Sequence, residues 1–336
     1  MKQLGGQPVK TRQLYYALVD YYGKDNITCI ETYGWKFRPI KVLSGVLMAA
    51  KKHDIMIMLP AHHGVQVFAR LLSYCKKVKG VKIFYDVIGG WLPQKTKQAS
   101  GLTKALKQFD GIWVETTSMR NALLSQGFDN VTVVPNFKNL SPVETIKKDF
   151  AIPFPICTFS RVMQEKGIED AINAVISVNT SERKVIYALD IYGPIYEPYK
   201  ERFEKLQSNF PPYIKYRGIV DPTHSVDTLK DYFALLFPTR FYTEGIPGTL
   251  IDALFSGVPV ISSRWINYED ILKDDVTGWG YQFCQIDELK KLLMKAYAYP
   301  EKFIAMRVNC VKEASNYQSE SAINKLNVLI EKTRNV

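Results

Sequence analysis

Apolar and polar positions change period along the chain in short, regularly punctuated blocks. Residues from about Thr11 to Tyr22 have helical spacing, and "NITCIETYG", from Asn26, is β-branched and reads as a strand. "RPIKVLSGVLMAAKK" returns to helical spacing, "DIMIMLP" reads as a buried strand, and "HGVQVFARLLSYCKK" as a helix. The series continues with "VKIFYDVIGG" as a strand closed by a glycine turn, then "GLTKALKQF" as a helix and "GIWVET" as a strand. "SMRNALLSQG" is a helix with a glycine stop, and "NVTVVPN" a strand. Alternating strands and helices with short loops and continuously apolar strands predict a parallel, doubly wound α/β sheet.

"FKNLSPVETIKKDFAIPFP" has no sustained pattern and holds three prolines, which predicts an interdomain linker. The second half then repeats the architecture. "FPICTFS", "KVIYALDIYG", "IKYRGIV", "ALLFPTR" and "VPVISSR" read as strands. "GIEDAINAVISVN", "EPYKERFEKLQSNF", "TLKDYFA" and "PGTLIDALFSG" read as the helices among them. The expected division is a first Rossmann-like domain over 1–142, a second over 143–315, and a helix over 316–336 that crosses back to the first. Two such domains are expected to bind a ligand in a cleft at the carboxyl ends of both sheets.

With 336 residues, 46% of them apolar, the chain can bury two cores. No apolar run approaches the roughly 18–20 residues of a membrane span, and "MKQLGGQPVKTRQ" lacks the apolar core of a signal peptide. Five scattered cysteines without a C-x-x-C pair fit reduced thiols in the cytoplasm and give no metal site. Charge is uneven: residues 1–150 hold 22 Lys and Arg against 10 Asp and Glu, whereas residues 151–336 hold 22 against 23. The basic half suits anionic lipid, nucleic acid or an acidic acceptor, against the alternative of a merely solvated surface. "FARLLSYCKKVKG" combines an apolar stripe with lysines, as an interfacial helix does, and core burial of that stripe is an equal reading.

Candidate chemistry concentrates in two stretches. In "TFSRVMQEKGIEDAINAV" a strand ends at Ser160, Arg161 and Lys166 occupy the loop, and Gly167 opens a helix with Glu169 and Asp170 in its first turn. A point charge and a fork of donors suit a diphosphate, while surface cations beside a helix are the alternative. In "FPTRFYTEGIPGTLIDALFSGVPVI" a buried strand ends near Pro238, Glu244 and Gly245 lie on the loop, and a helix starts near Gly248. The helix start favours phosphate oxygens, and a loop carboxylate can accept hydrogen bonds from sugar hydroxyls. Asp252 follows Glu244 by eight residues.

These stretches, with the Gly5-Gly6 pair, "VTVVPN", "LDIYGP" and "YRGIV", resemble family 4 of the retaining glycosyltransferases over nearly the whole chain. That resemblance implies a GT-B fold of two Rossmann-like domains and transfer of a hexose from a nucleotide-sugar donor to a hydroxyl. It implies that Arg161 and Lys166 hold the donor diphosphate, that Glu244 contacts the transferred sugar, and that Asp252 contacts the ribose. Ser160, Gly193, Gly245, Ile246, Pro247, Gly248 and Thr249 complete the implied donor side, with Gly5 and Gly6 approaching the donor phosphates or the acceptor. Asp252 replaces the family's usual glutamate, one methylene shorter. Where many members carry a histidine, this chain reads "YDVIGGW". His62, His63, Asp86 and Trp91 are therefore placed on the acceptor side, with helix capping or a surface position as the competing role of the histidines.

The resemblance further implies a glycan or polyprenyl-diphosphate-linked acceptor in capsule, exopolysaccharide or O-antigen assembly. The basic half would then meet an anionic inner membrane face. No cofactor, metal or nucleic acid is expected: there is no Asp-x-Asp, no His/Cys cluster, and no G-x-G-x-x-G after a strand. A GT-B nucleotide-sugar epimerase and a basic nucleic-acid-binding protein are the rival functions. A first strand ahead of Gly5 is expected in this fold, and the four residues before it do not supply one.

Overall fold

A computed structural model describes residues 6–60 and 64–334. The chain forms two compact units: unit 1 is Met1–Asn139 with Tyr317–Val336, and unit 2 is Leu140–Asn316.

In unit 1, β1 (Ile55–Met58), β2 (Lys82–Asp86), β3 (Gly111–Val114) and β4 (Val131–Val133) make one parallel sheet in that order. Helices α1 (Gly6–Tyr22), α2 (Pro39–Lys52), α3 (Val65–Lys79), α4 (Leu92–Gln98), α5 (Ser100–Leu106) and α6 (Thr117–Leu124) belong to it. Successive strand residues point to opposite faces. Ile83, Tyr85, Ile112 and Val114 therefore enter a core with Val46, Phe68, Leu72 and Leu106. Phe84 and Trp113, their rings stacked 4.9 Å apart, face the other way.

Unit 2 contains β5 (Phe154–Phe159), α7 (Ile168–Ser181), β6 (Tyr187–Tyr192), α8 (Lys200–Gln207), β7 (Ile214–Gly218) and α9 (Ser225–Leu229). It continues with β8 (Ala234–Phe237), α10 (Gly248–Phe255), β9 (Val260–Ser263), β10 (Gly278–Tyr281), α11 (Ile286–Ala298) and α12 (Pro300–Ala314). Its six strands run in the order β10-β9-β8-β5-β6-β7, every pair parallel. The chain moves outward from β5 through β6 and β7, then restarts at β8 on the other side of β5. The sheet's switch point therefore lies between β5 and β8, where open α/β sheets take their ligands.

The chain finally returns to unit 1 as α13 (Ser319–Arg334). Ala322, Ile323, Leu326 and Ile330 of α13 join Leu14, Ala17 and Leu18 of α1 over Phe84 and Trp113. Both faces of the first sheet are thus covered, which is why its strands read as continuously apolar.

Several elements depart from the sequence pattern. Helix α1 begins at Gly6, so Gly6 is helical and not part of a loop, while Gly5 lies outside the described residues. "NITCIETYG" forms no strand: extended at Ile27, it runs between two short 3₁₀ turns, Lys24–Asn26 and Trp35–Phe37, and pairs with no edge. β-Branched residues favour an extended backbone, but a strand also needs a partner. The apolar stripe of "FARLLSYCKKVKG" belongs to the core, with Phe68, Ala69, Leu72 and Cys75 of α3 all buried. Helix α4 and strand β10 had no clear pattern, the first being lysine-rich and the second carrying two glycines in four residues. Among the described residues no helix is long and apolar enough to cross a membrane.

Candidate active site

The two motif loops follow β5 and β8, which are paired neighbours, so the sheet itself brings them together. Their approach is close enough to dictate residue type. Gly167 closes the first loop at φ +68°, and a Cβ there would lie 1.8 Å from the carbonyl oxygen of Pro238, at the start of the second. Gly193, just after β6, sits at φ +132°, and its Cβ would lie 1.9 Å from the carbonyl oxygen of Ser160. No side chain larger than hydrogen fits either position.

Hydrogen bonds then clamp the loops. The Arg240 N–H donates to the Glu165 carbonyl at 2.8 Å. The Arg240 guanidinium grips Asp170, in the first turn of α7, through two bonds of 2.7 and 2.6 Å. That fork holds the Arg240 pKa above its ordinary value, hydrogen bonding to Asp170 being the main cause. Lys166 and Glu244 form an ion pair across the two loops, each side chain 19% exposed. The Lys166 ammonium also lies 5.4 Å from the Phe237 ring centre, and Asn267 Nδ2 donates to the Glu244 carbonyl. Both groups are reachable from solvent yet held in place.

Beyond Glu244 the buried residues Gly245, Ile246 and Pro247 lead into α10. Pro247 is the N-cap of that helix and offers its first N–H groups no side-chain acceptor of its own. The Thr249 hydroxyl in the first turn is buried and has no hydrogen-bond partner among the described residues. Arg161 is exposed and makes no ion pair among the described residues. Ser160 donates its N–H to the Tyr192 carbonyl at 3.2 Å. This end of the sheet therefore gathers two cations, an unpaired hydroxyl and a helix start around one accessible carboxylate.

Two further carboxylates of the expected site are buried. Asp252 is only 3% exposed and accepts a 2.8 Å hydrogen bond from the Ser225 hydroxyl of α9, which anchors it between α9 and α10. Asp86, at the end of β2, is also buried: Lys10 Nζ lies 3.0 Å from it and 3.2 Å from Glu115. Burial pushes the Asp86 carboxyl up, Lys10 opposing. Burial alone would lower the Lys10 pKa, but its two carboxylate partners raise it on balance. Asp86 is thus enclosed in an ion cluster with Lys10, which also holds Glu115. Trp91 donates its indole N–H to the Ile88 carbonyl at 2.9 Å and is partly buried against the first core. His62 and His63 lie outside the described residues.

Arg240, Ser225, Lys10 and Glu115 carry the geometry and had no signal in the sequence, since each is an isolated polar residue whose partner lies far along the chain. Among the described residues no group of three or more His, Cys, Asp or Glu could hold a metal ion.

A family model described as "Glycosyl transferases group 1" matches residues 143–317. No curated protein matches the chain. Among solved structures, Anabaena Alr3699/HepE in complex with UDP is similar with a TM-score of 0.78 at 10% identity, over 99% of this chain and 98% of that one. Sucrose-phosphate synthase from Thermosynechococcus elongatus aligns with a TM-score of 0.73 at 15% identity, over 98% of this chain and 94% of that one. TarM aligns with a TM-score of 0.64 at 17% identity, over 85% of this chain and 58% of that one. At such identities these likenesses speak for the fold, which is GT-B.

Proposed function

Because the chain belongs to the group 1 glycosyl transferases, we propose that it is a retaining, metal-independent hexosyltransferase of family 4 type. The donor is a nucleoside-diphosphate sugar and the acceptor a hydroxyl on a glycan or a polyprenyl-diphosphate-linked saccharide, in capsule, exopolysaccharide or O-antigen synthesis. The enzyme works in the cytoplasm at the inner membrane face. The observation that carries this reading is the Lys166–Glu244 pair, which spans the two motif loops at the switch point of the second sheet.

In the free protein these two side chains satisfy each other. A bound donor offers each a better partner, phosphate oxygens for Lys166 and sugar hydroxyls for Glu244. As the bond from the anomeric carbon to the diphosphate breaks, negative charge builds on the leaving oxygens. Lys166, Arg161 and the first N–H groups of α10, with the Thr249 hydroxyl, stabilise that charge. The acceptor oxygen bonds to the same face of the anomeric carbon, and its proton passes to a phosphate oxygen of the donor. No protein base is required for that transfer. Gly193, Ser160 and the Gly245–Gly248 turn let the backbone approach the nucleotide. Asp252 holds α10 in place through Ser225.

Loss of one preorganised donor to a developing charge costs about 2.7–4 kcal/mol, or about 10²–10³ in turnover. Lys166→Ala and Glu244→Ala are expected to lose that much, measured as nucleoside diphosphate released in the presence of acceptor. UDP-sugars are the first donors to screen, since the similar Anabaena structure holds UDP. Near-wild-type release by both variants would overturn the assignment, and loss of turnover in EDTA would overturn metal independence.

A further inference from the structure

Unit 1 carries an apolar face that no described residue of the unit covers. Helix α2 buries Val42, Val46 and Ala50 in the first core. Its opposite side is also apolar: Ile40 is 84% and Met48 64% exposed, with Leu47 beside them. Ile40, Leu47 and Met48 stand at i, i+7 and i+8, on one side of the helix. Phe37, in the 3₁₀ turn just before α2, is 92% exposed, and Tyr33 is exposed as well. Single exposed apolar residues are ordinary, but several projecting from one turn and one helix face are not.

The charges around them are of one sign. Lys36 and Arg38 flank Phe37, Lys41 follows Ile40, and Lys51 and Lys52 end α2, all five of them exposed. No Asp or Glu occurs between Glu31 and Asp54. Lysines at the end of α3 form a contrast, because the apolar stripe of that helix is core and Lys76 pairs with Asp110 at 2.9 Å. Projecting apolar side chains in a ring of cations that make no ion pair among the described residues match an interface of acyl chains beneath anionic head groups. A protein partner would have to supply both an apolar pocket and a ring of acids.

We propose that the Tyr33–Lys52 face docks on an anionic bilayer. Phe37, Ile40 and Met48 enter the acyl boundary, while Lys36, Arg38, Lys41, Lys51 and Lys52 meet the head groups. This docking rests on the membrane part of the proposed function and not on its chemistry. Its test therefore contains no sugar substrate, and failure of glycosyl transfer leaves the result intact.

The full chain is sedimented with sucrose-loaded phosphatidylcholine vesicles, with and without phosphatidylglycerol. The wild type is expected in the pellet only with the anionic lipid, and to be released by salt. Each cation at such a surface contributes about fivefold in partitioning, so Lys41→Glu/Lys51→Glu/Lys52→Glu should lose at least about a hundredfold. Phe37→Ser/Ile40→Ser/Met48→Ser should lose at least tenfold. Both variants change only exposed side chains and should melt with the wild type. Lys77→Gln/Lys79→Gln, on α3, should partition nearly as the wild type does. Equal recovery of the wild type with both vesicles, or wild-type binding by the Ser variant, overturns the proposal. So does wild-type self-association without vesicles that the Ser variant abolishes, which would make this face a contact between copies.

Discussion

Gly167 is the most exacting position in the second unit, and Gly167→Ala puts a number on it. The residue sits at φ +68°, a left-handed conformation that costs an L-residue about 1–2 kcal/mol. The added methyl would lie 1.8 Å from the Pro238 carbonyl oxygen and 2.8 Å from its carbon. Both are backbone atoms at the end of β8, so no rotamer change relieves the clash. Overpacking of this kind costs typically about 1–3 kcal/mol, giving a total loss of about 2–5 kcal/mol. The relief available is to push the loop after β5 away from the loop after β8. Lys166 is the next residue, so that movement draws its ammonium from Glu244, and a displacement near 1 Å costs about 10²-fold in turnover. Urea unfolding measures the first quantity and nucleoside diphosphate release the second. A variant within about 0.5 kcal/mol of wild type, or one destabilised but fully active, would refute the claim that this contact sets the spacing of the two loops.

Three more outcomes follow from buried charges and anchors. Lys10→Met removes the ammonium that Asp86 and Glu115 share, and urea unfolding should show a loss of about 3–5 kcal/mol. The Asp86 carboxyl, already raised by burial, then loses the ammonium that opposes that shift, so the deficit should shrink as pH falls and grow as pH rises through its raised folded value. Glu169 has its pKa lowered, chiefly by the hydrogen bonds from Arg202. Its contribution is full above the ordinary glutamate value of about 4.3 and lost as pH falls through the lowered folded value, so acid unfolding of Glu169→Gln should be less steep than wild type. Asp252→Ala removes the buried acceptor of Ser225 and should cost about 1–3 kcal/mol. Ser225→Ala on top of it should add less than its own single effect in thermal unfolding.

Local pattern was enough for most of the architecture because most strands are apolar runs with little exposure and most helices carry one apolar stripe. Residues Ile55–Met58, Lys82–Asp86 and Ala234–Phe237 could be read directly for that reason. What failed depended on a partner elsewhere. Ile27–Gly34 has the composition of a strand but pairs with no strand among the described residues, and the stripe of α3 could not reveal whether it faced lipid or protein. The same limit holds in the site. Lys166 and Glu244 stood out because each lies in a recognisable turn beside a buried strand. Arg240 and Asp170 are 70 positions apart, and nothing local marks them as a pair. Asp252 shows the limit most sharply: its spacing from Glu244 was visible, but its bond from Ser225 follows from packing between two helices.

The distribution of charge separates two tasks that the net value of +11 conceals. The cations of the two motif loops belong to unit 2, in a half of the chain with 22 basic and 23 acidic residues. Lys166 and Arg240 are already paired there, with Glu244 and Asp170. A diphosphate needs only a few directed donors, and a larger diffuse field would favour any polyanion over the right one. In unit 1, Lys10 and Lys76 are likewise paired with carboxylates. The cations of the Tyr33–Lys52 segment have no acid in their own stretch of chain and surround apolar side chains that project into solvent. Long-range attraction without directed bonds is what a flat anionic surface requires. Under the proposed function and the proposed docking, the uneven charge divides into two kinds of anion recognition, one by geometry in unit 2 and one by field in unit 1.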